Sequence, residues 1–368
     1  MYIMHDLMEV ERKLSKLHRY SEQEIREIIP KLEKINELRL EKGAKILAHY
    51  YQIPPIQLIA DKTGDSLELA RYARDKCGGE LVVSSTVYFM AEMTKILSPS
   101  SKVVIPDTMA SCSIAEGMNA ETVKRIRKEY PSSSIVAYIN TSAAAKAEVD
   151  AVCTSANAGT IMERIDGDPV IMLPDYLFAK NIFNQSKEKL PVRRYLAYKK
   201  IHGSEIVLED LSTGDESRIT THAELPMLDE GTCIVHKKFT PFDIYQYRKE
   251  GVVDTVLAHP EVRPEVAELA DVVGGTGRMI KYLKERPEAK RVLFITECDM
   301  AAPLREEFPD REFFTSCRLC DYMRRNNLDN LTRALDKEIE EVTVETSIAI
   351  RALRSMERMF ELSVAGKA

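Results

Sequence analysis

No run in this 368-residue chain approaches the roughly 18–20 consecutive apolar residues that a membrane span requires, so no segment is expected to cross a bilayer. The N-terminal stretch lacks the apolar core of a secretory signal. Its apolar and charged residues instead alternate at helical spacing. Positive charge is not in excess either: a formal net charge of −6 and a pI near 5.8 argue against a nucleic-acid or polyanion partner. Seven cysteines are an odd number, and without an export signal a disulfide framework is not expected. The chain therefore reads as cytoplasmic, with its cysteines used in packing, metal binding or catalysis. What it has in quantity is 44% hydrophobic and 30% charged residues, enough to bury substantial cores in two or three domains.

Residues 6–41 show the pattern of one or two amphipathic helices. From there the chain repeats one unit: a short β-branched apolar run, a turn with Gly, Ser, Thr or Asn, then a helical pattern. The expected strands are Lys45–Ala48, Leu81–Ser84, Val103–Ile105, Ile135–Tyr138, Ala151–Cys153, Val170–Leu173, Thr232–Val235, Thr255–Ala258, Asp271–Val273 and Val292–Ile295. Helical patterns between nearly all of them are the mark of parallel βαβ units. The strands fall into three groups, each too small for a full doubly wound domain. The expected fold is therefore α/β, with three pseudo-equivalent α/β/α domains of small parallel sheets, a divergent triplication around a central site. The expected boundaries are a helical extension at 1–40 and domains at 41–120, 121–230 and 231–368. Residues 186–229 interrupt the pattern with charged, strand-like fragments and read as an insertion, a small hairpin excursion outside the core repeat. The tail from Leu328 to about Leu362 reads as helical throughout.

In parallel sheets the functional groups collect just past the carboxyl ends of strands. There the chain places His49-Tyr50-Tyr51-Gln52, Asp107 through Cys112, Asn140-Thr141-Ser142, Thr154-Ser155-Ala156-Asn157, His259-Pro260-Glu261 and Gly274-Gly275-Thr276-Gly277. So many polar and titratable groups at strand ends suggest an enzyme's crevice. Cys77, Cys153 and Cys298 have no partner nearby in sequence and read as buried or incidental thiols. Cys112 opens a helix, where the positive end favours a thiolate. Cys233 lies in Gly-Thr-Cys-Ile-Val-His, and Cys317-Arg-Leu-Cys320 is a CxxC. A lone CxxC could be half a zinc site, a redox pair, or one ligand with a bystander, and no second pair completes a tetrahedral zinc site. One cysteine from each group of strands could bind three irons of a cubane and leave the fourth open to substrate as a Lewis acid. Unrelated cysteines are the competing account.

Several motifs occur together: LAHYYQ (47–52), GDSLELAR (64–71), YFMAEMTKIL (88–97), PDTMASCSIAE (106–116), YINTSAAAKA (138–147), TSANA (154–158), GTCIVHKKF (231–239), HPEVRPEV (259–266), GGTGRMI (274–280), TECDM (296–300) and CRLCDYMRRN (317–326). Over about Gly43 to Met359, outside 186–229, the chain resembles the quinolinate synthase family. That resemblance implies one [4Fe–4S] cluster per chain on Cys112, Cys233 and Cys320, the last because it directly precedes DYMRRN. Cys317 would be an extra thiol, able to pair with Cys320 under oxidation. The implied reaction condenses iminoaspartate with dihydroxyacetone phosphate to quinolinate in NAD biosynthesis, losing phosphate and two waters. It also implies a functional link to an iminoaspartate-producing oxidase or dehydrogenase.

The matched catalytic candidates are Tyr51, Tyr138 and Glu261. Those for substrate binding are His49, Ser66, Asn140, Ser155, His259 and Thr276, helped by backbone N–H groups of the Gly274–Gly277 loop. Lys237 and Lys238 read as an exposed basic pair. Three positions depart from the family pattern: Ala144 stands where a glutamate is usual, Gly275 where a serine is usual, and Arg278 where a small residue is common. They motivate a second reading, a paralogue with the same cluster and another substrate. A radical enzyme like the diphthamide-forming family lacks the LAHYYQ, TSANA and HPE matches. A non-enzymatic iron–sulfur sensor or electron-transfer module would favour a fourth cysteine cap.

Overall fold

The computed structural model describes residues 6–202, 205–220, 231–249 and 251–364. The repeating pattern of apolar run and helix folds into three small sheets. In the first, β1 (Lys45–His49), β2 (Lys62–Gly64), β3 (Leu81–Ser85) and β4 (Lys102–Val104) lie in the order β2-β1-β3-β4, with every pair parallel. All five residues of β3 are buried, as expected of a strand covered on both faces. On one side Ile46, Ala48, Val83 and Val104 join Leu32, Ile35 and Leu38 of the helix Glu22–Glu41 and Leu331 and Leu335 of the helix Leu328–Lys337 in one core. The N-terminal helices are thus part of this core. Ser21 and Glu24 begin the long helix with a reciprocal capping box, a device that contributes about 1 kcal/mol.

The second sheet contains β5 (Ser134–Tyr138), β6 (Ala151–Cys153), β7 (Val170–Leu173), β8 (Tyr195–His202), β9 (Glu205–Asp210) and β10 (Glu216–Thr220), in the order β10-β9-β8-β7-β5-β6. The hairpin expected within 186–229 is present as β9 and β10, but the stretch extends the second sheet and does not stand outside it. β8 pairs parallel with β7, and β9 and β10 continue the same sheet antiparallel. Tyr195, Leu196, Ala197 and Tyr198 are all buried, so this stretch is sheet core despite its charged flanks. Residues 203–204 and 221–229 of that stretch lie outside the described residues. The helix Thr346–Val364 packs on β6 through Ala352, Met356, Met359 and Leu362, which share one face at helical spacing.

The third sheet holds β11 (Thr255–Ala258), β12 (Val272–Val273), β13 (Arg291–Ile295) and β14 (Glu312–Thr315), in the order β12-β11-β13-β14. Two expectations fail. Thr232–Val235 is a turn leading into a short 3-10 helix, His236–Lys238, because its backbone bonds are local or go to Ser113 and no strand among the described residues pairs with it. The C-terminal tail is broken after Lys337, where Glu338 and Glu340 adopt φ of 50° and 62°, and Val104 bridges to Glu341. By packing density the chain forms two compact units, one of residues 1–111, 245–257 and 280–343, the other of 112–244, 258–279 and 344–368. Among the described residues no helix is long and apolar enough to cross a membrane.

Candidate functional site

In the second unit, strand ends deliver the titratable groups. Tyr138 is the last residue of β5, and its ring stacks on Phe178 with centroids 4.0 Å apart. Its hydroxyl donates to Glu261 Oε1 at 2.7 Å. The His259-Pro260-Glu261 turn is held by Asn181, whose amide donates to the carbonyls of Pro260 (2.9 Å) and Val262 (2.7 Å). The other carboxylate oxygen of Glu261 lies 2.7 Å from His236 Nδ1, which also meets Cys233 Sγ at 3.1 Å. His236 Nδ1 thus lies within hydrogen-bond reach of both groups. His259 stacks on His236, ring centroids 4.5 Å apart. The Cys233, His236 and Glu261 donor atoms lie within 4.8 Å of one another.

Glu261 and Asp175 are two buried carboxyls with opposed environments. Burial alone would raise Glu261, but the His259 and His236 rings, and the bonds from His236 and Tyr138, outweigh it and hold this carboxyl well below its ordinary range. Asp175 is raised, first by burial and then by the charge of Glu261. It caps the helix Tyr176–Ser186 by accepting from Phe178 N at 3.0 Å, and it also accepts from the backbone N–H of Cys233. A carboxyl raised by burial thus seats the cysteine, while one held low faces Tyr138. Opposed shifts of this kind separate an acid from a base.

The segments bearing Cys112 and Cys233 are fastened together. The Ser113 hydroxyl donates to the Thr232 carbonyl at 3.0 Å and accepts from Ile234 N at 3.1 Å. Gly117 and Gly231 pass so closely that a Cβ on Gly117 would lie 2.8 Å from Gly231 Cα. Asn140 Nδ2 lies 3.9 Å from Cys112 Sγ, long even for a bond to sulfur. Ser155, past β6, meets the glycine loop ahead of the helix Thr276–Glu285. A Cβ on Gly275 would sit 2.0 Å from Ser155 Oγ, so the small residue leaves room for the Ser155 hydroxyl. Thr276 is buried beside it in sequence.

The first unit holds a separate set. His49 ends β1, accepts from Tyr51 N at 3.1 Å, and meets the Tyr51 ring edge-on at 4.5 Å. The Tyr51 hydroxyl pairs with Thr296 Oγ1 at 2.8 Å. Ser66 begins the helix Ser66–Lys76, its hydroxyl 3.8 Å from Met90 Sδ. Cys320 lies in a loop held at many points. The Glu297 carboxylate accepts from Asp299 N at 2.7 Å and from Cys320 N. Asp299, fully buried, pairs with Arg19 and with Arg324, the latter at 2.9 Å. Gln52 donates to the Met323 carbonyl at 3.2 Å. Burial pushes the Cys320 thiol up to about 11, and burial with neighbouring Asp299 pushes Glu297 up to about 8.

Cys298 and Cys317 form a disulfide, which corrects two readings: Cys298 does have a partner, and Cys317 pairs with it and not with Cys320. The cause is strand pairing. β13 and β14 run parallel, with Phe294 opposite Thr315, so the residues just past both ends arrive side by side, Cα atoms 5.2 Å apart. Cys77 and Cys153 are buried and their thiols are raised by burial, the environment of inert structural cysteines. Cys112, Cys233 and Cys320 form no disulfide and are partly exposed.

Four residues of these networks were given no role by the sequence reading. His236 follows Cys233 at the spacing of one helical turn, a C-x-x-H signal that could have found it. Thr296 and Glu297 lie in the TECDM motif, whereas Asp175 carries no local signal and reaches Cys233 through a chain crossing.

The sequence profile described as Quinolinate synthetase A protein matches residues 33–361. The chain is 39% identical over 332 residues to the quinolinate synthase of Xylella fastidiosa, covering 90% of this chain and 87% of that protein. It is 38% identical over 345 residues to quinolinate synthase 1 of Mesorhizobium japonicum (91% and 95%) and 37% identical over 350 residues to the quinolinate synthase of Caulobacter vibrioides (94% and 85%).

Proposed function

The chain belongs to the quinolinate synthetase A protein family of NAD biosynthesis, and from that premise we propose how its residues carry the reaction. It condenses iminoaspartate with dihydroxyacetone phosphate to quinolinate with loss of phosphate and two waters, as a cytoplasmic transferase. Cys112, Cys233 and Cys320 hold one [4Fe–4S] cluster, and the three sheets mark three α/β/α domains. When bound, the cluster supplies a Lewis-acidic iron open to substrate. The observation that carries the reading is the buried chain Tyr138–Glu261–His236–Cys233.

Enolisation and dehydration both need a proton to be taken and returned. Glu261, kept ionised, takes a proton at its carboxylate, and the Tyr138 hydroxyl on Oε1 can return one. Tyr51, fixed by Thr296, offers a second hydroxyl. His49 and His259 orient substrate oxygens. Ser66, Asn140, Ser155 and Thr276, with the N–H groups at the start of the helix Thr276–Glu285, hold substrate anions. An oxidase or dehydrogenase that makes iminoaspartate would supply the first substrate.

The test is anaerobic reconstitution followed by incubation with dihydroxyacetone phosphate and enzymatically generated iminoaspartate. Quinolinate should form. An intact cluster signal without quinolinate would favour the paralogue reading, for which Ala144 and Arg278 remain the motive; the place of Gly275 is explained by Ser155. Single Cys→Ser changes at 112, 233 and 320 should abolish the cluster absorbance, while Cys77→Ser keeps it. Loss of the cluster in Cys317→Ser with retention in Cys320→Ser would overturn the ligand assignment.

A further inference from the structure

The first unit contains a cavity of about 490 Å³ that the reaction does not use, within the size range of small-molecule sites. It lies among the N-terminal helix Leu7–Lys16, the short helix Pro54–Ile59 and the helix Ala301–Glu307. Its wall is apolar where Leu17, Pro54, Leu58 and Pro303 line it. Its rim is cationic. Lys13 is neutralised by Glu306 at 3.1 Å, but Lys16 makes no ion pair among the described residues, and Arg305 donates only to the Phe313 carbonyl, at 2.7 Å.

One buried polar atom in the lining lacks a partner. Gln57 is 7% exposed, and its Nε2 faces three carbonyls, those of Tyr50 (2.9 Å), Gln52 (2.6 Å) and Asp299 (3.3 Å). Those acceptors set the orientation of the amide, because turning it over would press Oε1 against carbonyl oxygens. Oε1 is left buried with no hydrogen bond. An unmet acceptor of this kind costs roughly 1–3 kcal/mol, which a donor on a ligand would relieve.

We propose that this cavity is a binding site for a small aromatic anion bearing an N–H or O–H donor. The ring packs on Leu17, Leu58 and Pro303, the donor meets Gln57 Oε1, and the anionic group lies beside Lys16 and Arg305. Hydrogen bonds from the same Gln57 amide reach Tyr50 and Gln52, which flank the catalytic candidate Tyr51. An occupant therefore bears on that turn without entering the reaction site. The inference does not depend on the cluster or on the reaction.

Anilinonaphthalene sulfonate has this chemistry: fused rings, one N–H and one sulfonate. Added to the full-length protein, it should give a saturable fluorescence rise with one site per chain, weakened by salt as a cationic rim requires. Leu58→Trp should fill the cavity and abolish the signal. Lys16→Glu, on an exposed helix position away from the core, should weaken binding about tenfold, the effect of roughly 1.4 kcal/mol in one charge contact. Should Leu58→Trp fail to fold, the Lys16→Glu titration decides alone. Absence of saturable binding, or titrations that neither variant changes, would overturn the proposal.

Discussion

Cys233 and Cys320 are both partly exposed cysteines outside any disulfide, yet their surroundings differ in kind. Cys233 meets an imidazole, which in turn meets an ionised carboxylate and a tyrosine hydroxyl. Cys320 meets backbone. Its loop is tied by the Cys298–Cys317 disulfide, the Glu297 carboxylate and the Asp299–Arg324 pair, and its thiol is raised by burial. The first arrangement can move protons. The second can only hold a sulfur in place. Damage to the first should cost rate with little cost in folding, and damage to the second should do the reverse.

The largest expected effect is on rate. Glu261→Gln keeps the shape and removes the base, so quinolinate formation should fall by about 10²–10⁴ with cluster absorbance unchanged. Tyr51→Phe, whose hydroxyl pairs with the neutral Thr296, should lose less. Equal losses in the two variants would break the comparison.

The next effect is on stability. Opening the 19-residue closure with Cys298→Ser and Cys317→Ser should cost about 3 kcal/mol, read as a lower denaturation midpoint. Reductant should bring the unaltered protein to the same midpoint. If the midpoint does not move, the disulfide is not what secures the Cys320 loop.

The smallest effect separates structural charge from reactive charge within the second unit. Glu209, on β9, is opposed by burial but held below its ordinary value by bonds from Lys199, Tyr176 and Lys180. A carboxyl depressed in the fold adds stability above its unfolded value, near 4.5, and loses it as pH falls through the folded value. Glu209→Gln should therefore lower stability by roughly 1–3 kcal/mol near neutral pH, with the difference from wild type vanishing in acid. Thermal melts across that range check it, and quinolinate formation should stay unchanged.

Much of the fold was legible because the strands of a covered parallel sheet must be short apolar runs, and these recur from Lys45 to Ile295. The failures share one cause. Thr232–Val235 has the composition of a strand but no strand to pair with among the described residues, while Tyr195–Tyr198 sits among charges and is nevertheless sheet core. Composition describes a segment, whereas a strand is a relation between two segments. The site divides in the same way: Tyr138, Glu261 and Cys233 could be found from motifs at strand ends, but Asp175 and Glu297 act only because distant turns bring them to Cys233 and Cys320.

The sequence by itself determined the α/β class, the three sheets and the family, since all three are written in local periodicity and in motifs of a few residues. The tertiary structure decided which cysteines remain available. Cys298 and Cys317 are separated by 19 positions, and nothing local marks them as partners. They meet because two parallel strands end side by side, and their pairing leaves Cys320 as the free thiol of the CxxC.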